Sequence, residues 1–138
     1  MRIDYVDAAT RHRDDAELLR AKSRWPNADQ LYGMAAECAL KATMRALGMP
    51  VRNDGAPQRR EHRVHIDELW NAFFTFAGNI HDARYVAMLP WSNPFQNWSV
   101  HQRYQHSSSI SSQQVDEHRM ACRQVFLALN HARLEGML

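Results

Sequence analysis

The stretch "LYGMAAECALKATMRALGM", Leu31–Met49, is built of Ala, Leu, Met and Cys, with three charges, Glu37, Lys41 and Arg45, threaded through it. Its apolar residues recur at helical spacing on two sides: Leu31, Ala35, Cys38 and Ala42 on one, Ala36, Leu40, Thr43 and Leu47 on the other. A helix apolar on two sides is packed on two sides, so this segment predicts the central helix of an all-α fold. The three charges are spaced by four and share the remaining face, with Glu37 and Lys41 in the favourable order for pairing. A polar stripe must reach solvent or an internal polar cleft, because burying unpaired charge is costly. The spacing predicts solvent, with a cleft as the alternative.

Working outward, residues from about Asp4 to Arg24 read as a polar amphipathic helix with Val6, Ala9, Ala16, Leu18 and Leu19 on its sparse apolar face. Pro26 suits the first turn of the central helix, and Gly48 and Pro50 end it. "VRNDGAPQRREHR", residues 51–63, carries turn residues and then positive charge, and predicts the longest loop. "HIDELWNAFFTFAG", residues 65–78, returns to helical spacing with Gly78 as its stop. A short helix is predicted over "HDARYVAML", residues 81–89, followed by an irregular, Trp-containing segment, "PWSNPFQNWSVHQRY", residues 90–104. "QHSSSISSQ", residues 105–113, predicts a mobile connector. Val115, His118, Cys122, Val125, Leu129 and Ala132 then form the seam of a final helix. No strand pattern emerges. These elements predict one domain over residues 1–138, an antiparallel up-and-down bundle of four to five helices.

Composition fits that reading. Hydrophobic residues make up 45% and charged residues 23% of 138, which matches a folded globular chain. A formal charge of +2 is too mild to imply nucleic acid, although only Lys22 and Lys41 among the 17 basic residues are not Arg. Cys38 and Cys122 fall in apolar helical patterns and predict reduced core thiols. The first residues are charged throughout and no window approaches a membrane span, so a cytoplasmic protein with no membrane partner is expected.

"DAELLRAKSRWPNADQLYGMAAECALKATMRALG" (15–48), "HRVHIDEL" (62–69) and "NWSVHQRY" (97–104), followed by a long last helix, together resemble the HEPN family of small prokaryotic all-α bundles. The resemblance covers nearly the whole chain, in order. It implies a homodimer formed through helix packing and a nucleotide- or RNA-interacting module; many members are ribonucleases or toxins. The family's ribonucleases carry an Arg, four to six residues and then a His, in the second half of the bundle. Here Arg60 and Arg59, each with His65, have that spacing, but ahead of the third predicted helix; Arg103 precedes His106 by only three positions. The alternatives are therefore a metal-independent endoribonuclease, with His65 or His106 as acid or base and an Arg such as Arg60 on the phosphate, and a protein-interaction bundle, whose partner could be encoded nearby.

Among individual residues, Arg103, Tyr104, His101, His106 and Trp98 form the densest group able to hold a phosphate and stack a base. The structural alternative packs Trp98 and Tyr104 onto the bundle and sends Arg103 to Glu37. Arg59, Arg60 and Arg63 form the concentrated basic run that backbone phosphates would find. Candidate binding residues are thus Arg103, Tyr104, Glu37, Lys41, Arg59, Arg60 and Arg63. No metal is expected: Cys-x-x-Cys, His-Glu-x-x-His and Glu-x-x-His are all missing, and His118 with Cys122 reads as core. No phosphate loop or nucleophile elbow is present either, and no cofactor is expected.

Overall fold

A computed structural model describes residues 1–135. It is an all-α bundle of five helices: α1 (Tyr5–Ala21), α2 (Trp25–Ala46), α3 (Ile66–Asn79), α4 (Ala83–Ala87) and α5 (Ser112–Leu134). Helix α1 starts where Asp4 caps the amide of Asp7. It stops at Ala21, short of Arg24, because the chain turns sharply through Ser23, at φ 58°. Helix α2 follows at once, with Pro26 in its first turn, and Gly48 beyond its end takes φ 101°. Helix α3 passes through the predicted stop at Gly78; the left-handed residue that turns the chain is His81, at φ 55°. Among the described residues the only β pairing is a single bridge between Val51 and Pro57.

Helix α2 is the centre, packed against both α1 and α5. Its small buried residues Ala28, Ala35, Ala36, Ala39 and Ala42 face neighbours such as Ala9 and Ala16 of α1 and let the backbones approach closely. Leu18 of α1, grouped by spacing with the apolar face, is exposed. Contacts fix the helix directions: Arg20 meets Asp116, Glu17 meets Arg119 and Arg13 lies over Phe126, so α1 and α5 run antiparallel. The predicted seam of α5 is consumed in the chain's own core, with Val115, Val125 and Ala132 fully buried.

The irregular segment after α4 is pinned by direct bonds. Trp70 donates its indole N–H to the carbonyl of Pro90 (3.1 Å) and Asn93 donates to that of Asp67 (2.7 Å). The Ser-rich connector contains a capped 3-10 turn (Ser107–Ser109): His106 Nδ1 accepts from the Ser108 amide, and Ile110 is buried. No helix among the described residues is long and apolar enough to cross a membrane.

Candidate functional site

The charged stripe of α2 divides. Arg45 is exposed, but Glu37 and Lys41 retain only 14% and 8% of their side-chain exposure and form a 3.0 Å ion pair. The stripe therefore meets solvent at Arg45, as expected, and a polar cleft at Glu37 and Lys41. The residue that closes the cleft is His65, directly before α3, whose Nδ1 lies 2.9 Å from Glu37 Oε1. Arg103, anticipated there, makes no ion pair among the described residues; its guanidinium sits 4.8 Å over the ring of Tyr104. The chain's path explains the difference: the turn Val100–Tyr104 is oriented by its buried Gln102, which leaves Arg103 and Tyr104 outside.

Electrostatics inside the cleft are mutually reinforcing. Burial pushes the Glu37 carboxyl up, yet the His65 hydrogen bond and the Lys41 ammonium outweigh it and hold the group below its usual range. Glu37 in turn raises His65 above the ordinary imidazole value, against partial burial. The Lys41 ammonium also stands 5.8 Å over the Tyr5 ring, and burial, with Cys38 and Glu37 nearby, pushes the Tyr5 hydroxyl up to about 12. Burial likewise lifts the Cys38 thiol to about 12, which makes it unreactive at neutral pH.

His65 is half exposed, and with Nδ1 committed to a carboxylate its Nε2 is the nitrogen left for an outside partner. A carboxylate-oriented imidazole at a surface can hold or transfer a proton. Its ring also lies 6.5 Å from that of Trp98, which brings the start of the 98–104 segment beside the end of the basic loop. Arg59 and Arg60 are exposed, Arg59 beside Gly48, Phe76 and Ile80 around a pocket at the ends of α2 and α3 and loosely paired with Glu61 at 3.9 Å, while Arg63 is spent on the loop itself, donating to the carbonyls of Pro57 and Gln58. His62 turns inward, edge-on to Phe76, and burial lowers its pKa. His106 is exposed and occupied as the cap of the Ser turn.

Beneath this surface lies a buried network that residue spacing does not reveal. Asp29 is fully buried; its Oδ1 receives His118 Nδ1 at 2.7 Å and its Oδ2 the Gln102 amide at 2.7 Å. His118, also fully buried, stacks on Phe95 and meets Asn97 Oδ1 at 2.8 Å through Nε2. Trp98 donates its indole N–H to the Asp29 carbonyl (3.0 Å), with its ring pressed on Gly33 so closely that a Cβ there would overlap it. These bonds tie the 95–104 segment to α2 and α5 and so fix where Arg103 and Tyr104 emerge. The sequence signal was slight: Asp29 reads as a helix-start residue and His118 as ordinary core.

Among the described residues no three His, Cys, Asp or Glu side chains gather to hold a metal ion. No protein-family model matches the chain, and no curated protein or solved structure matches it.

Proposed function

We propose that this protein is a HEPN-like, cytoplasmic module that binds RNA or nucleotides on the surface where the basic loop and the 98–104 segment flank α2. The carrying observation is the Arg103–Tyr104 pair: the ring of Tyr104 is 76% exposed and backed by a guanidinium, an aromatic and cationic platform with no role in the core. Such a platform stacks bases of any sequence, while Arg59 and Arg60 offer charge to the backbone. The test is fluorescence anisotropy with a labelled single-stranded RNA across a salt series. Binding should weaken as salt rises, and Arg103→Ala and Tyr104→Ala should each weaken it with the helical signal intact. No binding, or binding indifferent to both substitutions, refutes the reading.

A second reading, metal-independent RNA cleavage, is favoured by the Glu37–His65 pair, in which a carboxylate aims an imidazole outward. Cleavage that persists in chelator, follows a pH profile set by His and vanishes in His65→Ala would promote it. A homodimer belongs to the same proposal. Helix α3 leaves aromatic surface uncovered, where Trp91, 80% exposed, stands edge-on to Phe74 at 5.2 Å. Light scattering of the wild type and of Trp91→Ser tests that contact.

A further inference from the structure

α1 and α5, with Tyr32 of α2, flank an open cleft of about 470 Å³. Three guanidiniums, Arg13, Arg119 and Arg123, line it with a single carboxylate, Glu17, a surplus of two positive charges (three minus one). Glu17 is fully engaged: Arg119 grips it through Nε (2.7 Å) and a terminal nitrogen (3.0 Å), and Tyr32 donates its hydroxyl to the same group (2.7 Å). The Arg119 hydrogen bonds, against partial burial, hold Glu17 down to about 2, so it stays ionised and its charge is already spoken for.

The other two arginines have no carboxylate partner inside the cleft. Arg13 stands over the Phe126 ring at 4.4 Å, and its Nε and a terminal nitrogen each lie 3.3 Å from Oδ1 of the exposed Asp14, which does not line the cleft. Arg123 makes no side-chain hydrogen bond or ion pair among the described residues. Beside them Leu127 is 62% exposed, an apolar surface next to unspent positive charge. Three guanidiniums around one carboxylate leave a positive potential in the cleft that attracts an anion.

We propose that this cleft binds a small phosphomonoester with an apolar or aromatic body, the dianionic head on Arg13 and Arg123 and the body on Leu127. Guanidinium forks match phosphate oxygens, the surplus charge matches a dianion, and the volume suits a small organic molecule. The site lies apart from the Arg103–Tyr104 platform and does not rest on the RNA reading.

Calorimetric titration of the full chain with phenyl phosphate tests it, with inorganic phosphate and benzoate as separate arms. Phenyl phosphate should bind more tightly than either. Arg13→Gln and Arg123→Gln should each weaken it at least about tenfold, as expected for losing a charge-assisted bond, and Leu127→Asp should weaken phenyl phosphate more than inorganic phosphate. Arg133→Gln, which removes an exposed charge elsewhere on α5, should leave binding unchanged, and circular dichroism should be the same for all variants. No binding of phenyl phosphate, equal affinity for inorganic phosphate, or equal losses in Arg133→Gln and Arg123→Gln would each overturn the proposal.

Discussion

Replacing Glu37 by Ala strands Lys41. The ammonium keeps 8% of its side-chain exposure and has no other carboxylate partner among the described residues, so the variant leaves a buried charge supported only by the Tyr5 ring at 5.8 Å. Breaking a buried pair from one side costs about 3 to 5 kcal/mol. The Tyr5 face offsets part of that, on the order of 1 kcal/mol. The bond to the half-exposed His65 adds under about 1 kcal/mol after solvent screening. A loss of about 3 kcal/mol follows. With a urea m-value of about 2 kcal/mol per molar, the unfolding midpoint falls by about 1.5 M at pH 7. Lys41→Met should also destabilise, while the double variant Glu37→Ala/Lys41→Met should lose much less than the two singles together, since no buried charge is left alone. Urea melts of the four proteins measure this. A Glu37→Ala loss below about 1 kcal/mol, or additive single effects, would refute the account of a buried, mutually dependent pair.

Three further outcomes follow from the same geometry. Gly33→Ala should destabilise by about 2 kcal/mol or more, because the new methyl overlaps the Trp98 ring and must displace the whole 95–104 segment, which near-ultraviolet circular dichroism of Trp would report. Asp29→Ala should cost about 3 to 5 kcal/mol by leaving His118 Nδ1 and the Gln102 amide N–H without their buried partner, and a thermal melt indistinguishable from wild type would count against the network. The Glu37–His65 contact has a pH window: His65 is raised, so its contribution is present below its ordinary 6.5 and is lost as pH rises through the folded value, whereas Glu37 is lowered, so its contribution is present above its ordinary 4.5 and is lost as pH falls through the folded value. An NMR titration of the His65 ring should therefore show a raised midpoint that drops in Glu37→Gln.

Periodicity in one dimension determined the all-α class, the central helix and the order of the elements, because a helix apolar on two sides has few other ways to hide its surface. Leu31–Met49 shows this directly: its Ala and Leu positions fix its place at the centre of the bundle, with α1 on one side and α5 on another. Local signals also placed Asp4, Pro26 and Gly48 correctly at helix ends, since caps and turns depend on residues within a few positions. Tertiary structure alone decided which partner each polar group meets. Spacing aligned Glu37 with Lys41, but His65 reaches Glu37 from 28 residues away, and Asp29 meets His118 across 89. Such pairings depend on how loops route the chain over the bundle, and a loop's path is set by the sum of its anchors, here Trp98, Gln102 and Asn93, each individually a plain polar or aromatic residue. The cleft of Arg13, Arg119 and Arg123 was hidden for the same reason: its arginines are scattered through two helices far apart in sequence, and only the antiparallel placement of α1 and α5 on α2 gathers their charge into one place.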